Sequence, residues 1–263
     1  MPIAFILAAT EAGPMIINRF DVCYIDQGYF GVGASLLQTG RFDPEEVDAL
    51  TGILRLRRQH HGDGVVALDL GANVGTHTIA WARAMTGWGS VLAVEAQEWV
   101  YYALAGNLAL NNLFNVTALH AAIGERDGSL MMPVLDPTKP ASFGSLELRP
   151  KTGEHIGQIP EGSQPVPMVT IDALAPARVD LIKLDIEGME LDALAGAEAT
   201  VARCQPVIFA ERTKCGEVEL ADWLMGRHYK IHPVGMSFLA IHHDDPILAN
   251  VTFRTADMQK PPA

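Results

Sequence analysis

The sequence predicts an α/β fold in which helices cover both faces of a mostly parallel sheet. Residues 65–95 read as a buried strand, a glycine turn, a helix and a second strand that ends in an acid. The alternation of strand and helix resumes at residue 179, and a final hairpin follows it. Short, continuous apolar runs of this kind are typical of parallel strands that are buried on both faces.

The segment before this unit carries weaker patterns. Its apolar run, residues 3–9, has no basic residue before it and is too short to span a bilayer, so we expect a strand or packed arm rather than a signal peptide. Residues 15–24 predict short strands, and residues 31–37 predict a short helix that ends at Gly40. Asp43, followed by proline, predicts the N-cap of a longer helix.

The glycine turn after the first buried strand favours a nucleotide-like ligand. Gly71 and Gly75 allow close approach of a ligand to the backbone, next to the free N–H groups of a helix N-terminus. The dinucleotide pattern G-x-G-x-x-G fails, because Asn73 and Thr76 hold its second and third glycine positions. Glu95, at the end of the next strand, can accept two hydrogen bonds from a ribose diol. The pattern favours an adenosine with a cationic sulfonium over a diphosphate, and the alternative is an ordinary tight turn.

A third strand is predicted at residues 116–119, and Ala121 and Ala122 follow it. Small side chains at this strand end leave room for a flat adenine ring, although a plain strand end explains them equally well. Residues 128–169 then alternate short β-like pieces with proline- and glycine-rich turns. This pattern predicts a β-rich insertion or a flap on the substrate side.

The strand at residues 179–184 ends at Asp185, and Glu187 follows in the next turn. Because side chains alternate along a strand, Lys183 should share a face with Asp185. These three residues are the candidate catalytic groups, since strand-end carboxylates can orient a hydroxyl or accept its proton. The alternative is a structural ion network at the edge of the sheet.

Composition limits the partners. The 263 residues are 49% hydrophobic with a net charge of −12, which argues against nucleic acid and anionic membranes as partners. The three cysteines form no C-x-x-C pair, so we expect free thiols in a reducing, cytoplasmic compartment. Histidine pairs at residues 60–61 and 242–243 suit exposed positions, and no metal site is predicted. The tail at residues 259–263 is predicted to be disordered.

Several segments together resemble one known family. The segments DLGANVGTHT, VEAQ, AAIG, LIKLDIEGMELDALAGA and VIFAE resemble the FkbM family of S-adenosylmethionine-dependent methyltransferases over about residues 41–211. The family usually has an aromatic residue where His77 stands, and often has proline where Ala96 stands.

The resemblance implies a Rossmann-like class I methyltransferase fold with seven strands and an antiparallel last strand. It implies two parts, an N-terminal segment (residues 1–62) that covers the cleft and a cofactor-binding methyltransferase domain (residues 63–263). The cofactor would be S-adenosylmethionine, with S-adenosylhomocysteine as product. The residues expected to bind it are Asp69, Gly71, Ala72, Asn73, Gly75, Thr76, His77, Thr78, Glu95, Ala96, Ala121, Ala122 and Asp185.

The expected activity is O-methylation of a hydroxyl on a sugar or other secondary metabolite. Three alternatives stay open: N-methylation of an amide or amine, a catalytically silent binding module with the same fold, and a nicotinamide oxidoreductase. The acceptor can be a small molecule, a glycan or a peptide. The N-terminal strands also offer an edge that can pair with a second copy of the chain.

Overall fold

The computed structural model describes residues 2–26, 28–148, 152–174 and 176–251, so the predicted disordered tail lies outside the described residues. The strands are β1 (Phe5–Thr10), β2 (Gly13–Asn18), β3 (Cys23–Ile25), β4 (Gly28–Phe30), β5 (Val65–Leu70), β6 (Gly89–Glu95), β7 (Val116–His120), β8 (Ala122–Ile123), β9 (Gly128–Pro133), β10 (Ser163–Val169), β11 (Leu181–Leu184), β12 (Val207–Glu211), β13 (Tyr229–Val234) and β14 (Ser237–His242). The helices are α1 (Val32–Thr39), α2 (Pro44–His61), α3 (Thr76–Ala84), α4 (Glu98–Leu110), α5 (Ile171–Leu174), α6 (Glu190–Ala195), α7 (Glu198–Cys204) and α8 (Glu217–Met225), and a 3₁₀ helix follows at Pro246–Ala249.

A seven-stranded sheet forms the centre of the molecule. Its strand order is β13-β14-β12-β11-β5-β6-β7. The strands from β12 to β7 pair in parallel, whereas β14 runs antiparallel between β12 and β13. The predicted fold class, a mostly parallel seven-stranded sheet with an antiparallel last strand, is therefore confirmed.

Helices cover both faces of this sheet, with a core layer on each side. Leu54 of α2, Trp81 of α3 and Leu104 of α4 are fully buried on one face. Leu194 of α6 and Leu224 of α8 are fully buried on the other. The sheet therefore has no solvated face over its middle strands, which is why these strands read as mostly apolar runs.

A second, three-stranded sheet forms the predicted β-rich insertion. Strand β10 lies between β9, its antiparallel partner, and β8, its parallel partner. Because β8 directly follows β7, the insertion is attached where the chain leaves the main sheet. Within the described residues, each helix is too short or too polar to cross a bilayer.

Two local predictions are wrong. Asp43 does not cap α2: it has a φ of +42° and makes no side-chain cap hydrogen bond, because an N-cap needs an extended backbone to aim its side chain at the first turn. The apolar spacing of Leu191, Leu194 and Ala197 predicts one helix, but this part of the chain forms two helices, α6 and α7. Gly196 separates them at a point where a Cβ would lie 2.3 Å from the Gly124 carbonyl oxygen, so close backbone packing decides the break.

Asn107 joins the N-terminal hairpin to the glycine turn. Its side chain is fully buried in α4. It accepts a hydrogen bond from the N–H of Ile16, and its amide donates to the carbonyls of Ile16 (3.1 Å) and Val74 (2.8 Å). One side chain therefore satisfies backbone groups of two segments that are far apart in the sequence.

We expect the Asn107→Ala substitution to lower the free energy of unfolding by about 2–3 kcal/mol, because it leaves buried backbone groups without partners. Urea denaturation measures the change. Asn250→Ala, at an exposed asparagine, is the control and should cost less than about 0.5 kcal/mol. Equal stability of the two variants would contradict the bridging role.

Candidate functional site

The turn between β5 and α3 lies against the end of β11. Gly71 has a φ of +80°, and a Cβ on it would lie 1.8 Å from the Asp185 carbonyl oxygen. Gly75 has a φ of +95°, and its Cβ would lie 2.7 Å from Leu104. Asn73, between them, also adopts a positive φ, of +50°. Only glycine fits at Gly71, because both the backbone conformation and the available space exclude a side chain.

Glu95 ends β6 directly beside this turn. Its carboxylate accepts hydrogen bonds from the N–H groups of Asn73 (3.0 Å) and Gln97 (2.8 Å). The side chain is nearly buried, and this burial raises its pKa to about 7, although the backbone hydrogen bonds oppose the rise. Each carboxylate oxygen keeps a lone pair for a further donor. Glu95 is thus an acceptor whose charge changes near neutral pH.

A segment of the insertion packs over the turn. The Phe143 carbonyl accepts from the Gln97 side chain (2.7 Å), and the Phe143 N–H donates to Asp21 (3.0 Å). Asp21 also accepts from the N–H of Gly33 at the start of α1 (2.8 Å), and burial raises the pKa of its carboxyl to about 6. This contact brings the N-terminal segment, the insertion and the Glu95 strand end together.

Two more of the predicted cofactor residues contact each other inside the domain. Thr78 donates to Asp69 Oδ2 at 2.5 Å, and both residues are buried. Among the described residues, Asp69 Oδ1 has no hydrogen-bond partner. His77 is buried, packs edge-on against Trp81, and lies 3.1 Å from Glu46. The Asp69 side chain is therefore buried against the start of α3, whereas the His77 side chain connects α3 to α2.

The alanine positions lie near the Glu95 strand end. The Ala121 N–H donates to the Glu95 carbonyl (3.2 Å), and the Ala96 carbonyl contacts His120 Nε2 (3.0 Å). Ala121 and Ala122 are buried. Ala72 donates its N–H to Val94, and Thr76 begins α3.

Lys183 and Asp185 form an ion pair at the end of β11. The Lys183 ammonium donates to Asp185 Oδ2 at 3.0 Å, so both side chains lie on the face that Asp69 shares on β5. Burial opposes ionisation of both groups. The negative charges of Asp185, Asp69 and Glu46 nevertheless raise the pKa of Lys183. The Lys183 ammonium in turn lowers the pKa of Asp185. Asp185 is therefore ionised at neutral pH.

Glu187 lies beside this pair and contacts a second lysine. Its φ is +56°, and its carboxylate accepts a hydrogen bond from Lys214, which also pairs with Glu154 at 2.8 Å. Burial and the charge of Asp185 raise the pKa of Glu187. Glu211, the last residue of β12, is the third carboxylate of this group.

No local sequence pattern indicates that Lys214, Glu154 and Glu46 belong to the candidate site. They lie after β12, in the insertion and in α2, and only tertiary packing brings them together. Glu211 carried a usable signal, because it is an acid directly after the apolar run at residues 206–210, which predicts a strand. In the structure this strand, β12, lies next to β11.

A family model described as the methyltransferase FkbM domain matches residues 69–232, which is more than half of the chain and includes the glycine turn, Glu95 and the β11 carboxylates. The chain belongs to the FkbM methyltransferase family. A comparison with curated proteins gave no match.

Several solved structures are similar to this FkbM family member. An FkbM methyltransferase from Methylobacillus flagellatus KT is 19% identical with a TM-score of 0.46, and the match covers 68% of this chain and 43% of that protein. A precorrin-6y C5,15-methyltransferase from Geobacter metallireducens GS-15 is 19% identical with a TM-score of 0.41, over 73% and 74% of the two chains. The magnesium protoporphyrin IX methyltransferase from Synechocystis PCC 6803, solved with bound SAM, is 12% identical with a TM-score of 0.43, over 75% and 78%. The chain thus spans less than half of the FkbM protein from Methylobacillus flagellatus.

Proposed function

We propose that this FkbM family member is an S-adenosylmethionine-dependent methyltransferase that methylates a hydroxyl group of a sugar or another secondary metabolite. One observation carries the proposal: Gly71 is in backbone contact with Asp185, and Glu95 bonds the same turn. A ribose acceptor and a charged carboxylate therefore lie at the carboxyl ends of β6 and β11, the two strands that flank β5, where ligands of open α/β sheets bind.

The residues at the turn fit the cofactor. Gly71 and Asn73 hold the backbone in conformations that direct the turn around the start of α3. Glu95 is buried with lone pairs left for a ribose diol. We assign the ribose to Glu95, the methionine part to the turn from Asp69 to Thr78, and the adenine edge to Ala96, Ala121 and Ala122.

S-adenosylmethionine, when bound, supplies a methyl group that its sulfonium activates for direct displacement. The protein then has to position the acceptor and handle its proton. Asp185, held ionised by Lys183, is the group that orients the acceptor hydroxyl and accepts its proton, a role worth about 10²–10⁴-fold in rate. Glu187 lies next to Asp185 and, with Lys214, shapes the entrance through which the acceptor arrives.

Other acceptors and partners belong to the same proposal. An amine or amide acceptor on a small molecule or peptide would use the same cleft, since the acidic groups there also favour a cationic amine. The acidic surface disfavours nucleic acid and membrane partners, and cysteines that form no disulfide among the described residues suit the cytoplasm. The edge of β1, which pairs only with β2 among the described residues, is the surface we assign to a possible second copy.

Isothermal titration with S-adenosylmethionine, S-adenosylhomocysteine and NAD tests the cofactor. We expect both sulfur compounds to bind, NAD to fail, and Glu95→Gln to weaken binding by about 10–100-fold, because it removes a charge-assisted acceptor. Glu98→Gln, three residues further on, is the matched control, because Glu98 bonds Tyr102 on the helix surface. Absence of binding by both sulfur compounds would refute the proposal and favour the silent binding module, whereas NAD binding would favour the oxidoreductase.

The pH dependence of cofactor binding gives a separate prediction. Ionised Glu95 is the form that accepts from the ribose, and its pKa is about 7. Lowering the pH from about 8 to about 6 protonates the carboxylate, so the Kd for S-adenosylhomocysteine should rise roughly tenfold. The rise should be absent in Glu95→Gln. A wild-type Kd that stays constant over this range would remove Glu95 from the binding site.

A further inference from the structure

We propose that Asp185, Glu187 and Glu211 form a binding site for a divalent cation, and that this cation holds a methyl acceptor with two neighbouring oxygen atoms. The inference rests on the proposed function, because it assigns the substrate class of the same cleft. It departs from the sequence, which predicts no metal site.

The three carboxylates converge at one edge of the sheet. One oxygen atom from each lies within 4.8 Å of those of the other two. Strands β11 and β12 are parallel neighbours, so Asp185, just after β11, and Glu211, the last residue of β12, come from adjacent strand ends. In an octahedral Mg²⁺ site, ligand oxygens at about 2.1 Å from the ion are about 3–4 Å apart. Small side-chain rotations therefore suffice to bring the three carboxylate oxygens to these distances.

Glu211 supplies independent evidence for a cation at this position. The residue is only 8% exposed, which is unusual for a carboxylate. Its Oε1 accepts from the Thr213 hydroxyl, but its buried Oε2 has no hydrogen-bond partner among the described residues. A buried carboxylate oxygen without a donor is costly. A cation between the three groups would provide the missing partner.

The charges around the site also favour a cation. Five carboxylates surround it, and two ammonium groups face them among the described residues. The carboxylates belong to Glu154, Asp185, Glu187, Glu190 and Glu211, and the ammonium groups belong to Lys183 and Lys214. Lys214 contacts both Glu187 and Glu154, so it can keep Glu154 as its partner when Glu187 turns to a cation.

The donor set selects the ion and the acceptor. Three carboxylates and no nitrogen or sulfur ligand suit Mg²⁺ or Mn²⁺. Three carboxylate oxygens leave open positions in an octahedron, and an acceptor with two adjacent oxygens can fill two of them. A vicinal diol or a catechol has this pattern. The cation would favour loss of the proton of the hydroxyl that receives the methyl group, since a positive charge stabilises the oxyanion.

We do not propose a cation site at the second group of potential metal ligands, which consists of His242, His243 and Asp244. His243 and Asp244 have side chains that are 47% and 70% exposed. Register pairs Glu211 with Ser237, so His242 lies at the opposite end of β14. This group therefore serves as the control.

Mn²⁺ titration of the full chain, followed by the electron paramagnetic resonance signal of free Mn²⁺, tests the site. The protein is first freed of metal with EDTA. We expect about one Mn²⁺ per chain, with competition by Mg²⁺, and a Kd that rises by about 10–100-fold in Glu211→Gln. Asp244→Asn should leave the Kd unchanged. Thermal unfolding of each variant confirms that it folds.

Two results would overturn the site: no saturable Mn²⁺ binding by the wild type, or a Kd that Glu211→Gln leaves unchanged. S-adenosylhomocysteine titration of the same samples separates the two proposals. Binding of S-adenosylhomocysteine without Mn²⁺ binding removes the cation site and keeps the methyltransferase. If S-adenosylhomocysteine does not bind, the proposed function itself fails, whether or not Mn²⁺ binds.

Discussion

The Asp185→Asn variant should lose methyl transfer by about 10²–10⁴-fold while it still binds S-adenosylhomocysteine. Asparagine keeps the size of the side chain but removes the charge that accepts a proton and pairs with Lys183 at 3.0 Å. The backbone carbonyl of Asp185, which lies against Gly71, is unchanged by the substitution. The variant therefore separates the chemistry from cofactor binding.

The measurement is the rate of S-adenosylhomocysteine formation with an acceptor found by screening hydroxylated compounds. Asp222→Asn, an exposed aspartate of α8, is the matched control and should keep the wild-type rate. If Asp185→Asn turned over like the wild type, Asp185 would have no part in the mechanism, and the structural ion network would be the better account of the Lys183 pair.

The Gly71→Ala substitution should cost more than about 4 kcal/mol of unfolding free energy and abolish cofactor binding. An alanine there adopts an unfavourable left-handed backbone, worth about 1–2 kcal/mol. Its Cβ also meets a backbone oxygen at 1.8 Å, which no side-chain rotation can relieve. The end of β5 or the turn after β11 has to move to relieve this contact, and both segments contribute residues to the candidate site.

Gly87→Ala is a close control for this prediction. Gly87 has nearly the same backbone angle, a φ of +83°, but a Cβ on it would meet no atom within 4 Å. Gly87→Ala should cost only about 1–2 kcal/mol, which is the cost of the left-handed backbone conformation alone. The difference between the two variants in urea denaturation measures the steric conflict. A similar stability for both would mean that the close contact between Gly71 and Asp185 is absent in solution.

Local patterns were sufficient to predict the sheet and to place Glu95 and Asp185 at the ends of its strands. The run at Val65–Leu70 is apolar because both faces of β5 are buried, and Glu95 marks the end of β6. The alternation of side chains placed Lys183 and Asp185 together, since a strand leaves no other arrangement. These predictions depend only on residues close in sequence.

Other parts of the site depend on packing between distant segments. Lys214 pairs with Glu154, but the two residues are so far apart in the sequence that no local pattern predicts this contact. Glu46 stands three residues after Asp43, a spacing that predicts a capping box. Glu46 contacts His77 instead, and Asp43, with a φ of +42°, makes no side-chain cap hydrogen bond. Assignment of each cofactor contact remains a prediction, as does the division of the chain at residue 62.

The buried Asn107 side chain connects the N-terminal hairpin to the part of the chain that the family model matches. The family match begins at residue 69, yet Met15 and Ile17 of the N-terminal hairpin are fully buried in the same core as Leu104. Removing the hairpin would remove the buried Met15 and Ile17 side chains from the core that contains α4. The Asn107 amide would also lose its hydrogen bond to the Ile16 carbonyl. The part of the chain that the family model matches and the part that shares one buried core therefore have different borders.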